Sequence, residues 1–255
     1  KYIAKLGIKY LPRIMELFIV NKFFNQIVDI ERNGIVHAPH YASDSYYQTC
    51  DYLKAKKIGK LKLKSVFSTY LHTLPMLTNL TYLDVEILNR VTKSFESSIL
   101  DMNMMVSLKD LKLIVNQDCT IRLPTQLRSL QLHVDAFGRH IKIMDDLSQL
   151  TNLNLKNVDS KCRFDSCTKL KRVVLTSTNV KLNNKWTEIS DLDASHMYNR
   201  LPDIYCKIKH VKLSYCNFSY VSSFSSTLET LHLENIDFEY FEIPNTFVNL
   251  KKLIL

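Results

Sequence analysis

Few of the side chains that could do chemistry in this sequence stand at the spacing that the chemistry requires. His37 and His40 form an H-x-x-H pair, but the helix and the further carboxylate or Cys that complete a metal site are missing. Cys162 and Cys167 have neither redox nor zinc-finger spacing. We therefore predict no catalytic residues, no metal site and no cofactor, and we predict that the protein is not an enzyme.

The scarcity of glycine excludes several enzyme classes. The 255 residues include only four Gly, and none of them forms a G-x-G-x-x-G turn, a phosphate-binding Walker loop or a G-x-S-x-G elbow. The carboxylate pairs Asp145/Asp146 and Glu239/Glu242 lie in predicted loops without a basic or metal partner. We expect these four side chains to be solvated.

Charge and cysteine content indicate the compartment and the class of partner. The net charge is +9, and six lysines stand between Lys54 and Lys64. This cluster could meet an acidic partner, a phosphate or an acidic membrane surface, although a solvated charged end is the simpler interpretation. The six Cys form no C-x-x-C pair and no apolar run is long enough to cross a bilayer, so we predict an intracellular protein, cytoplasmic or nuclear, with reduced thiols.

An internal repeat covers residues 58–255. The pattern L-x-x-L-x-L occurs ten times with starts 19 to 28 residues apart, and all thirty anchor positions are apolar. Self-similarity at this period is the sequence signature of a solenoid, in which each coil stacks on its neighbours. The ten units begin at Ile58, Leu80, Leu108, Leu127, Leu150, Leu170, Ile189, Ile208, Leu228 and Leu250.

The repeat predicts one parallel strand per unit. Alternating Leu residues share one face of a strand because side chains alternate with period two, so the strands should stack as a sheet with Leu inward. The longest unit carries an insertion, residues 89–107, in which Val91, Phe95, Ile99 and Met102 stand near helical spacing. We expect a helix there, on the convex side.

The repeated pattern resembles the leucine-rich repeat family, whose consensus is L-x-x-L-x-L-x-x-N/C-x-L. Asn116, Thr178 and Cys216 hold a polar side chain at the N/C position of their units, and most other units hold an apolar one. The resemblance implies an irregular α/β solenoid, a horseshoe of about ten parallel strands, that binds a protein partner and has no catalytic role.

Residues 1–57 precede the repeat and contain apolar residues at helical spacing, so we predict a helical N-terminal cap. The segment Val20–Val28 also resembles the latter part of an F-box, V-x-K-x-F/W-x-x-I/L-V. That resemblance implies an alternative function, the substrate receptor of a ubiquitin ligase, with Leu11, Val20 and Phe24 on the ligase adaptor.

The outward strand positions should form columns on the concave face, because parallel strands lie about 4.8 Å apart. We expect opposite charges to be neighbours in Lys62/Asp84/Lys112, Lys64/Glu86 and Asp193/Lys212. A continuous basic groove with interleaved aromatic residues is missing, so no nucleic acid is expected. The residues predicted to bind a protein partner are Tyr82, Asn154, Arg172, Asp193, Lys212, Tyr215 and His232.

The last residues, Leu250–Leu255, fall in the tenth predicted strand, and no polar coil follows them. Because an open apolar edge promotes aggregation, we expect either a longer chain or a second subunit that covers this strand.

Overall fold

Alternating apolar residues build a parallel-strand solenoid. The structure is a computed structural model that describes residues 29–30, 36–38, 59–67, 77–88, 98–135, 139–144, 146–159, 162, 164–180, 185–197, 207–216, 226–236, 245 and 247–255. Within these ranges the regular elements are all strands, and none of the described segments is a helix long and apolar enough to span a membrane.

The larger sheet has twelve strands in the described part of the chain. Its first two strands pair antiparallel, and every later pairing is parallel. In spatial order the strands are β1 (Asp29–Ile30), β2 (Val36–Ala38), β3 (Lys60–Phe67), β4 (Tyr82–Leu88), β6 (Asp110–Val115), β8 (Ser129–Val134), β10 (Asn152–Lys156), β11 (Arg172–Thr176), β12 (Asp191–Ser195), β13 (His210–Ser214), β14 (Thr230–Glu234) and β15 (Lys252–Ile254). The ten strands from β3 onward confirm the ten predicted units.

The core consists of the inward anchors of successive coils. In β6 exposed or half-buried residues alternate with Leu111, Leu113 and Val115, which are fully buried. The last unit differs, because Leu253 is only half-buried and Leu255 is 70 % exposed. Between coils, the Trp186 side chain fills the core and its Nε1 donates a hydrogen bond to the Phe164 carbonyl oxygen at 3.0 Å.

A repeated backbone hydrogen bond fixes where each strand begins. The residue directly before a strand accepts two N–H groups from the next coil: the Gly59 carbonyl accepts from Thr81 at 2.7 Å and from Tyr82 at 3.1 Å. Nine consecutive coils repeat this bond. We call these positions the strand-start row; they are Gly59, Thr81, Lys109, Arg128, Thr151, Lys171, Ser190, Lys209, Glu229 and, before β15, Lys251.

The residue directly after each of the strands from β10 to β14 has left-handed backbone, with φ between 49° and 57°. After β10, β11, β12 and β13 the N–H of this residue donates to the carbonyl oxygen of the last residue of the next strand, as Ser177 does to Ser195. This turn lets the chain leave the sheet while the ladder continues. The residues of this strand-end row are Asn157, Ser177, His196, Tyr215 and Asn235.

A second sheet was not predicted. It has three parallel strands, β5 (Ser98–Asp101), β7 (Cys119–Arg122) and β9 (Ile141–Ile143). The helix expected in residues 89–107 is therefore wrong from Ser98 on, because the backbone groups of β5 bond to β7 instead of to one another. Residues 89–97 lie outside the described residues.

The predicted helical cap of residues 1–57 lies outside the described residues except for β1 and β2, which are strands. Ile30, one of the apolar residues of this predicted helical segment, belongs to β1, and β2 pairs parallel with β3. The larger sheet therefore begins earlier than the predicted start of the repeat at residue 58.

Candidate functional site

The solvent-facing side of the larger sheet, from β4 to β15, is called the open face here. Its register confirms the predicted columns: Arg172 lies beside Asn152 on one side and beside Asp191 on the other, and Asp193 lies between Val174 and Lys212. One predicted neighbour pair is wrong. Lys64 is not aligned with Glu86, because the pairing of β3 with β4 shifts between Leu63 and Val66.

Asp84 confirms the predicted charge alternation at the β3 side. Its Oδ2 atom lies 3.2 Å from Lys112 Nζ and 3.7 Å from Lys62 Nζ, and the residue is only 5 % exposed. Tyr82, two residues earlier on the same strand, is half-buried, and burial, followed by the charges of Asp84 and Asp110, raises its pKa.

Asp193 and Lys212 are neighbours across β12 and β13, as predicted. The Lys212 Nζ atom nevertheless pairs with Glu234 Oε2 on β14, at 3.4 Å, and forms no ion pair with Asp193. Glu234 is the diagonal neighbour of Lys212, since Lys212 is aligned with His232. The long, flexible lysine side chain can reach such a neighbour. Because Lys212 pairs with Glu234, the Asp193 carboxylate is unpaired in the described structure.

A shallow depression of about 590 Å³ crosses the open face from β10 to β15. Four of the seven predicted binding residues line it: Arg172, Asp193, Lys212 and His232. Three further charged or titratable residues that the prediction did not select also line it, namely Lys171, Asp191 and His210. Their positions in the repeat could have revealed them, because each stands at or directly before the first residue of a strand.

Several side chains in this depression have no partner within the described part of the protein. Arg172, Asp193 and His232 form no side-chain hydrogen bond or ion pair there, whereas Asp191 accepts a short hydrogen bond from Ser190 and Lys212 pairs with Glu234. Groups of both charge signs are therefore available to a bound molecule at one place.

The other three predicted residues lie elsewhere. Asn154 is on β10 outside the depression, and Tyr82 is on β4, at the far end of the open face. Tyr215 belongs to the strand-end row, is 53 % exposed and stacks on His196, with ring centroids 4.5 Å apart and planes 7° apart. The sequence did not predict this pair of rings, because His196 and Tyr215 lie directly after β12 and β13, outside the predicted columns of strand residues.

The two edges of the larger sheet carry opposite charge in the described residues. We count as a strand start the first residue of a strand and the three residues before it; the strand starts carry ten cations and four anions. A strand end is the last residue of a strand and the three residues after it; the strand ends carry one cation and four anions. The cations at strand starts are Lys60, Lys109, Arg128, Lys169, Lys171, Arg172, Lys207, Lys209, Lys251 and Lys252, and the anions there are Asp110, Glu188, Asp191 and Glu229. The residues at strand ends are Lys156, Asp118, Asp135, Asp159 and Glu234.

The described cysteines are poor nucleophiles. Cys119, Cys162, Cys167 and Cys216 are buried and free, and burial raises the pKa of the first three to about 12. Within the described ranges, His, Cys, Asp and Glu side chains also form no group of three that could hold a metal ion.

Other predicted contact residues fall on segments that the structure does not describe. Leu11, Val20 and Phe24, expected at a ligase adaptor, lie outside the described residues, as does most of the lysine cluster of Lys54–Lys64. Of that cluster the described side chains are Lys60, which is exposed, and Lys62, which pairs with Asp84.

No protein-family model and no curated protein matches this chain. The functional interpretation therefore depends on the geometry and charge of the open face.

Proposed function

We propose that this chain is a non-catalytic protein-interaction module that binds its partner on the open face. The observation that carries the proposal is the depression in which Arg172, Asp193 and His232 are all without partners in the described structure. Polar groups that a fold leaves unpaired on a concave or flat surface are available for hydrogen bonds and ion pairs across an interface.

The rigidity of the backbone supports this role. Each strand of the larger sheet from β4 to β14 is bonded on both sides by a parallel ladder, and the strand-start row fixes its first residue, so the outward side chains project from a fixed frame. A preorganised surface loses little conformational entropy when it binds. The module would thus bind without a folding step.

The solenoid is proposed to be of the leucine-rich repeat type. Besides the tenfold pattern, the position three residues after the third anchor supports this assignment, because its side chain is buried in five successive coils: Val158, Thr178, Met197, Cys216 and Ile236. The Cys216 thiol lies 3.4 Å from the Ala194 carbonyl oxygen, which fits the hydrogen bond that this position makes in the family. The free thiols support an intracellular location, cytoplasmic or nuclear.

A charge exchange in the depression tests the proposal. We would identify by mass spectrometry the proteins retained by the wild-type chain and by the double variant Arg172→Glu, Asp193→Lys, which keeps the net charge. The matched control is Lys142→Glu, Asp135→Lys, since both of these exposed residues lie outside the depression. We expect at least one protein to be retained by the wild type and the control and lost by the Arg172/Asp193 variant. Identical retention by all three would overturn the proposal.

A further inference from the structure

We infer that the partner presents an acidic polypeptide segment to one edge of the open face, where Lys109, Arg128, Lys171 and Arg172 form what we call the basic edge. This inference deepens the proposed function and rests on it, since it names the chemistry of the same partner. It starts from the opposite charges of the two sheet edges, with cations in excess where strands begin and anions in excess where they end.

The four cations of the basic edge are available. All four are exposed, and they form no ion pair or side-chain hydrogen bond with any residue that the structure describes. Lys209 and Lys251, at the same edge, are occupied, because both pair with Glu229, at 3.1 Å and 2.8 Å. Lys60, Lys207 and Lys252 are exposed and unpaired in the described structure, so four of the seven unpaired cations of this edge lie from the start of β6 to the start of β11.

The spacing of these cations fits a short extended peptide. Lys109, Arg128 and Lys171 precede β6, β8 and β11, and β10 is the single strand between the last two. At about 4.8 Å per strand the three positions span about 14 Å, which an extended segment of about five residues covers. Acidic residues at alternate positions of such a segment would face the three cations.

The same edge favours a polypeptide over a nucleic acid. Proteins that bind single-stranded nucleic acid normally combine cations with exposed aromatic rings on which the bases stack. No aromatic residue lies in the strand-start row from Lys109 to Lys251. The depression continues this edge, because Lys171 and Arg172 line it too.

Fluorescence anisotropy with a labelled ten-residue poly-glutamate peptide at low ionic strength tests the inference. The test variant is Lys109→Glu, Arg128→Glu, Lys171→Glu; the matched control is Lys142→Glu, Arg139→Glu, Lys156→Glu, which changes the same residue types and the net charge equally at exposed positions away from the basic edge. We expect the test variant to bind at least about tenfold more weakly than wild type and the control to bind within about threefold of it. Circular dichroism verifies that both variants fold.

Three outcomes would overturn the inference. They are no binding of poly-glutamate by the wild type, equal weakening in the test and control variants, or a single-stranded oligo-dT of equal charge that binds more tightly than the peptide and is lost in the test variant. None of these affects the proposed function, which is tested by the Arg172/Asp193 exchange. If that exchange loses the partner while the Lys109/Arg128/Lys171 variant keeps it, the open face binds a protein but the basic edge does not.

Discussion

Lys112 Nζ lies 3.2 Å from Asp84 Oδ2 on the neighbouring strand, and Lys62 approaches the same oxygen atom from the other side at 3.7 Å. The carboxylate is almost fully buried although it stands on the solvent-facing side of the sheet. One anion thus joins three consecutive strands, β3, β4 and β6, at a single register.

We expect Asp84→Asn to lower the free energy of unfolding by about 1 to 3 kcal/mol. The change keeps the shape of the side chain but removes the charge that both lysines neutralise, and it leaves two neighbouring cations without an anion. The expected loss is smaller than for a fully buried pair because both lysines are about a third exposed. Denaturant unfolding followed by circular dichroism measures it.

Asp110→Asn is the control for Asp84, since this exposed carboxylate on β6 forms no ion pair in the described structure. We expect it to change stability by less than about 0.5 kcal/mol. Equal effects of the two substitutions would show that the Asp84 ion pairs do not stabilise the sheet.

Ser177 should tolerate Gly but not Val. Its φ is 49°, which glycine adopts freely and which crowds the branched side chain of Val. We expect Ser177→Val to cost about 1 to 2 kcal/mol in unfolding free energy and Ser177→Gly to be close to neutral. Thr168→Val, at an exposed turn residue without positive φ, serves as control, and an equal cost there would refute the backbone explanation.

Glu229 should make the last coils sensitive to acid. Hydrogen bonds from Lys251 and Lys209 lower its pKa from the usual 4.5 to about 2. Because the pKa is lower in the folded state, the stabilisation is present above about pH 4.5 and is lost as the pH falls towards 2. We expect the melting temperature of wild type to fall more steeply across this interval than that of Glu229→Gln, as measured by thermal unfolding.

Glu188→Gln gives the comparison for Glu229, because Glu188 is an exposed carboxylate without an ion pair among the described residues. Its melting curve should follow that of wild type at every pH. Parallel curves for wild type and Glu229→Gln would contradict the role of the two lysines.

Cys119, Cys162 and Cys167 should resist alkylation in the native protein. Burial raises the pKa of each thiol to about 12, so only about one molecule in ten thousand carries the reactive thiolate at pH 8. We expect iodoacetamide to modify these three residues only after unfolding in denaturant, as mapped by peptide mass spectrometry. Rapid native labelling of any of them would show that its coil opens readily.

The sequence by itself determined the ten strands of the repeat and, apart from the shift after Leu63 in β3, their register. The reason is local. In the unit that contains Leu111 and Leu113 the alternation of apolar and polar residues decides which face each side chain takes. Arg172 and Asp191 are aligned because they hold the same position in successive units. The burial of the anchors and the lateral order of the columns follow from that alternation.

Only the tertiary structure decided the second sheet, the conformation of the strand-end row and the partner of Lys212. The second sheet depends on pairing β5 with β7, whose residues are about twenty positions apart, and apolar spacing alone predicted a helix there. The strand-end row could not be recognised either, because Asn157, Ser177 and Tyr215 share a backbone conformation and not a residue type. Lys212 likewise pairs with Glu234 and not with Asp193. Stacking brings both carboxylates near its long side chain, and the sequence does not show with which one it pairs. Local alternation therefore determines the face on which a side chain lies. Which side chain it contacts depends on the stacking of coils that are far apart in the sequence.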